Sequence, residues 1–137
     1  MTVSQLVVRI SMSERVVECS FLVPIVGDSD RKPHAPIAWR LLQDAIHRLF
    51  KGLSGPERFL LVKDVDLVPG SYTEEATGHR IHDESRRYTV AIPEGQVKAL
   101  RGLLKKAAHT FDQKCMYLSV AGVVEFVTAS ARDGYLE

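Results

Sequence analysis

Apolar and polar residues alternate in several short stretches of this chain, and in two places they fall into helical spacing instead. Leu6, Val8, Ile10 and Met12 alternate with Val7, Arg9 and Ser11, a period of two that predicts a strand with one buried face. Cys19, Phe21, Val23 and Ile25 repeat the pattern, with Ser13 and Glu14 at the turn between the two and Pro24 marking a strand end or edge. Gly27 to Pro36 is a loop by composition. Trp39, Leu42, Ile46, Leu49 and Phe50 then recur at helical spacing behind Pro36, which suits a first helical turn, and Gly52 is placed to end the helix.

The second half repeats this plan. Phe59 to Val68 reads as a strand with Phe59, Leu61, Val65 and Leu67 on one side and Asp64 and Asp66 on the other. Pro69-Gly70 is expected to turn or bulge, Glu74 to Gly78 to form a hairpin tip, and His79 to Ile92 to return. Tyr88, Val90 and Ile92 share one face of that return arm, and Arg87, Thr89 and Ala91 share the other. Beyond Pro93, the positions Val97, Leu100, Leu104, Ala107, Ala108 and Phe111 form the clearest helical stripe. Cys115 to Val120 and Val123 to Val127 form a hairpin about Ala121-Gly122. Residues 128–137 read as a frayed tail.

The order is β(β)–α–β–β–α–β(β). Two amphipathic helices must bury their stripes, and one face of an antiparallel sheet accepts both. The expected fold class is therefore α+β: a ferredoxin-like, split βαβ sheet with two helices on one face, plus extra N-terminal and C-terminal strands, over a single domain of residues 1–137. The Leu6–Met12 strand has no fixed place in that scheme; it belongs at an edge or on another subunit.

PGSYTEEATGHRIHDESRRYTVAIP, the helix ending in HTFDQKCMYLSV, and the final GVVEF together give residues 39 to about 127 a pattern that resembles a small group of uncharacterised bacterial ferredoxin-like proteins. The resemblance implies the fold, suggests sheets paired across a homodimer, and offers no activity.

Composition narrows the classes. In 137 residues, hydrophobic side chains make up 45% and charged ones 26%, which suits a folded globular domain. Eighteen Lys plus Arg against seventeen Asp plus Glu leave +1, which disfavours a strongly basic nucleic-acid binder. Arg9, Glu14, Arg15 and Glu18 break the N-terminal apolar run, so neither a signal peptide nor a membrane span is read, and a cytoplasmic location is expected. Cys19 and Cys115 have no metal spacing, and each is read as a small buried apolar side chain.

Candidate chemistry is sparse. His79-x-x-His82 beside Asp83 and Glu84 has metal-ligand residue types, but on a strand the two histidines point to opposite faces, and the segment reads as a solvated arm. His47 and His109 fall on polar helix faces, and His34 lies in a loop from which it could reach a cleft. No nucleophile elbow is present, and GLSGP lacks the lysine and the strand-to-helix setting of a phosphate loop. No metal or cofactor is expected. Parity places Asp64, Asp66, Asp83, Ser85, Arg87, Thr89, Tyr117 and Ser119, with Leu22 nearby, on the sheet face away from the helices.

Three functional readings follow. The first is a non-enzymatic domain that dimerises or docks a partner through its open sheet face or a strand edge. The alternative is an enzyme or binding protein for a small anionic ligand, in the manner of dimeric α/β barrels. Its cavity would lie near Arg87, with Tyr72, His82, Asp83, Arg87 and Tyr117 as ligand-binding residues and Arg87 as the anion anchor. The weakest is nucleic-acid binding through Lys98, Arg101, Lys105, Lys106 and Lys114 with Arg40, Arg48 and Lys51, which lack interleaved aromatics for base stacking.

Overall fold

The computed structural model describes residues 15–51, 61–73 and 80–137; for Phe50, Lys51, 61–66, 71–73 and 80–83 it describes the backbone alone. The expected Leu6–Met12 strand, the Gly52 helix stop and the Glu74–Gly78 hairpin tip lie outside the described residues.

Strand β1 (Val16–Pro24) buries Val17, Cys19, Phe21 and Val23 and turns the alternate positions away from the core, as its period of two requires. Helix α1 (Pro36–Lys51) begins at a proline whose missing N–H belongs among the unpaired first donors of any helix. It sets Ala38, Leu42, Ala45 and Ile46 into the core. Strand β2 (Leu61–Thr73) pairs along its length with β3 (Arg80–Pro93), interrupted by an irregularity between Val62 and Asp64. A 3₁₀ turn at Glu94–Gln96 feeds α2 (Val97–Thr110), whose Val97, Leu100, Leu103, Leu104, Ala107 and Ala108 are buried. The chain closes with β4 (Cys115–Val120) and β5 (Val123–Thr128).

The strands form one five-stranded sheet in the order β2-β3-β1-β4-β5, and every neighbouring pair is antiparallel. Each helix therefore crosses between strands that have one strand between them: α1 from β1 to β2 over β3, and α2 from β3 to β4 over β1. Both helices join the inward rows of β1, β3 and β4 in one hydrophobic cluster, so the two stripes share a side of the sheet. Phe21, Phe111, Leu42, Ile92, Leu100, Leu104, Met116 and Leu118 are its largest fully buried side chains. Burying one such side chain contributes about 1.5–3 kcal/mol. No helix among the described residues is long and apolar enough to cross a membrane.

Three expectations need correcting here. Pro69-Gly70 makes no turn: Pro69 stands opposite Glu84 and Gly70 opposite Asp83 within the β2–β3 ladder. Among the described strands β2 is outermost, the position in a sheet that tolerates a proline. Cys115 is exposed rather than buried, because Met116 and Leu118 take the inward positions of β4. The C-terminal segment, read from composition as frayed, runs back to the helices: Leu136 is 6% exposed, and its N–H donates to Thr110 Oγ1 at 2.8 Å.

Candidate site on the open sheet face

The sheet face away from the helices carries a cross-strand row. Arg87 of β3 stands opposite Asp66 of β2 on one side and Leu22 of β1 on the other. The β1–β4 register pairs Ser20 with Ser119 and Phe21 with Leu118, so one further step sets Leu22 beside Tyr117. Tyr117 pairs with Phe126 of β5, their rings edge to face with centroids 6.2 Å apart. A parallel row reads Asp64, Thr89, Ser20, Ser119 and Val124. Adjacent strands lie about 4.8 Å apart, so a five-strand row spans roughly 19 Å. The Arg87 row runs from a guanidinium on β3 through Leu22 to aromatic rings on β4 and β5, and the parallel row carries small hydroxyls at Thr89, Ser20 and Ser119.

Within this row Arg87 and Phe126 are exposed, while Leu22 and Tyr117 are half-buried. Arg87 is engaged by other groups of the chain rather than free. Of the other expected ligand residues, Tyr72 pairs in register with Ile81, His82 with Ser71 and Asp83 with Gly70. These three occupy the outer half of the β2–β3 arm, since β1 pairs with β3 only from Ser85 to Pro93. Asp83 is four positions from Arg87, roughly 14 Å along the strand. The backbone thus brings Arg87 and Tyr117 into one row and leaves Tyr72, His82 and Asp83 beyond it. Phe126 was missed as a site residue; the available signal was the apolar spacing of Val124 and Phe126 in a strand too short to reveal a face on its own.

Arg86 belongs to the opposite face, one position from Arg87, and here the pleat divides two adjacent arginines. Its guanidinium lies 3.9 Å from the centre of the Trp39 ring, a cation–π contact. It also bonds the hydroxyl of Tyr88, which opposes the upward push that burial gives that phenol's pKa. Trp39 and His34 each pack against Phe111 with centroids 4.8 Å apart, and the Nε2–H of His34 donates to the Pro24 carbonyl at 2.8 Å. His34, expected to reach a cleft from its loop, is instead held between rings.

A polar clasp ties this end together. Asp112, at the close of α2, takes a left-handed φ of 51°, which a short polar side chain tolerates. Its carboxylate accepts from the hydroxyl and the N–H of Ser29, and the Asp28 N–H donates to its carbonyl at 2.8 Å. The Lys114 N–H in turn donates to the Asp28 carboxylate at 2.8 Å. The Ser29 hydroxyl, then its N–H, hold the Asp112 carboxyl below the usual carboxylate range. Gln113 donates to the Val26 carbonyl at 2.9 Å. Gly27 is required here, because a Cβ would meet Asp112 Oδ2 at 2.7 Å and Asp30 Oδ1 at 2.6 Å.

On the helix side, a groove of about 680 Å³ runs between α1 and α2, lined by Ala45, Arg48, Leu49, Gly102, Leu103 and Lys106 with the C-terminal Leu136 and Glu137. It lies across the sheet from the Arg87 row. Two of the basic helix residues are engaged: Arg101 forms a two-point ion pair with Glu125 at 2.6 and 3.1 Å, and Arg48 donates to the Glu137 carbonyl. Among the described residues, no group of three or more His, Cys, Asp or Glu is placed to hold a metal ion.

No family model matches the chain, and no curated protein matches it. Two solved structures do. A phage SAM lyase in complex with S-methyl-5′-thioadenosine is similar at a TM-score of 0.58 with 18% identity, over 83% of this chain and 90% of that one. A phage SAM lyase in the apo state has a TM-score of 0.49, with the same identity and coverage. At this identity the likeness establishes a shared fold: a mixed α/β chain with an antiparallel sheet and two helices.

Proposed function

We propose that this chain is a small-molecule enzyme of ferredoxin-like, split βαβ architecture, cytoplasmic, and that its open sheet face binds an adenosine thioether or sulfonium. The observation that carries the reading is the Asp66–Arg87–Leu22–Tyr117–Phe126 row, present on a fold that a SAM lyase shares. The strand order, with one strand between the ends of each helical crossover, supports the fold name. The chemistry of the row supports the ligand class. A purine can lie against Tyr117 and Phe126. A sulfonium is drawn to aromatic faces. A ligand carboxylate reaches the planar fork of Arg87 by sharing it with the groups of the chain that already engage it. This reading favours the ligand-binding alternative over a purely structural docking domain.

The test is thermal unfolding with S-methyl-5′-thioadenosine and, separately, with S-adenosylmethionine, followed by chromatography of the S-adenosylmethionine mixture for new products. At 100 times the dissociation constant, a ligand that binds the native state alone adds about 2.7 kcal/mol. The expected result is a rise in midpoint with both ligands. Arg87→Ala abolishes the rise with S-adenosylmethionine, whose carboxylate Arg87 meets, and spares the rise with S-methyl-5′-thioadenosine, which has no carboxylate, while Tyr117→Ala reduces both. No rise with either ligand at saturating concentration overturns the proposal.

A further inference from the structure

Strand β5 is the sheet's outer strand on the side away from β2, and its surface is unusual for an exposed edge. Val123 is 69% exposed, Phe126 67% and Val124 49%. Natural edges are protected by lysines, prolines or bulges; β5, VVEFVT, has none of these. Its one charge, Glu125, is held on the helix side by Arg101. Apart from that paired glutamate, the strand is therefore apolar from Val123 to Val127 and carries no unpaired charge.

The hairpin fixes which backbone groups face outward. Ala121 and Gly122 both take positive φ, 50° and 85°, the mark of a two-residue type I′ turn. Such a turn makes its flanking residues, here Val120 and Val123, a hydrogen-bonded pair. Alternation then points the N–H and C=O groups of Val123, Glu125 and Val127 toward β4, and those of Val124, Phe126 and Thr128 away from the sheet. Among the described residues no strand lies beyond β5 to receive them.

We propose that β5 pairs antiparallel with β5 of a second copy of this chain, joining two five-stranded sheets into one. Charge selects this occupant. A neutral apolar strand offers nothing to nucleic acid or to a charged peptide, and its own copy is equally neutral. Charge also selects the register. A two-fold axis at Phe126 sets Phe126 opposite its counterpart, Val124 opposite Thr128 and Glu125 opposite Val127. A shift that set Glu125 opposite Glu125 would oppose like charges. In the chosen register the outward N–H and C=O groups of Val124, Phe126 and Thr128 are all used, and the aromatic ends of the two Arg87 rows meet. The pairing stands on the edge itself and does not require the ligand reading.

Sedimentation velocity over a concentration series tests it. The wild-type chain is expected to shift from monomer to dimer mass as concentration rises. Val124→Pro removes an outward donor and no β4–β5 bond, so it is expected to stay monomeric with an unchanged circular dichroism spectrum. If that variant does not fold, Thr128→Pro, which removes another outward donor and lies outside the ligand row, supplies the same reading. A wild-type chain that stays monomeric throughout, or a folded edge variant that still dimerises, overturns the proposal. The ligand titrations are repeated on the monomeric variant, so failure to dimerise and failure to bind remain separate results.

Discussion

Cys19 and Cys115 sit on strands of the same sheet yet face different environments, and their chemistry should diverge accordingly. Cys19 is buried, and burial pushes its thiol pKa up to about 11, outweighing the opposing pull of Arg101. Cys115 is exposed. A disulfide-exchange reagent should therefore titrate one thiol rapidly in the native protein and the second only on unfolding; two rapid thiols would contradict the burial. The raised value also sets a pH window. The neutral thiol favours the folded state fully below the ordinary value of 9.0, and that contribution is lost as pH climbs from there toward about 11. Cys19→Val should flatten this alkaline decline in denaturant-midpoint measurements. Asp112 behaves in the opposite sense. Its pKa is depressed in the folded chain by Ser29, so the clasp contributes above the ordinary carboxylate range and fades as pH falls below it. Asp112→Ala should lower stability by about 1–2 kcal/mol at neutral pH through lost hydrogen bonds and backbone strain. Asp112→Asn, which keeps an acceptor and tolerates the left-handed backbone, should lose less.

Helix α2 shows how an element can be tuned without touching the site. Gly102 lies in its interior, and a Cβ added there meets nothing within 4 Å. Gly102→Ala should raise stability by about 0.8–1 kcal/mol from helix propensity alone. A loss on thermal or denaturant unfolding would mean that the groove between the helices needs that space. The elements themselves were legible in the sequence for a physical reason: burial on one side imposes a period, and the stripes of Leu42 and Leu104 or the row Tyr88, Val90, Ile92 keep it. Pro69 was misread because a proline excludes an inner strand but not an outer one, and strand position is a property of the sheet. The clasp between Ser29 and Asp112 was invisible because its partners lie 83 positions apart and carry no periodic signal. At the candidate site, parity correctly separated Arg87 from Tyr88 and put Tyr117 with Arg87. Parity put Asp83 on that face too but could not measure distance along the strands, and Tyr72 and His82 came from the α/β-barrel cavity reading; the register sets all three in the outer half of the β2–β3 arm.

At the scale of the whole molecule, both helices cover one face of the sheet, and among the described residues no element packs on the other face or beyond β5. The two faces are chemically unlike. Arg86 completes an aromatic stack on the covered side, and Arg87 stands in a polar-to-aromatic gradient on the open side. The groove between the helices offers a competing site of different character, with an apolar floor and the cations Arg48 and Lys106 at its rim. Backbone amide chemical-shift mapping during titration with S-methyl-5′-thioadenosine decides between them. The account predicts that the largest saturable shifts fall on Leu22, Tyr117 and Phe126 and their cross-strand neighbours. Shifts confined to the α1–α2 groove, or none at saturating ligand, would contradict it.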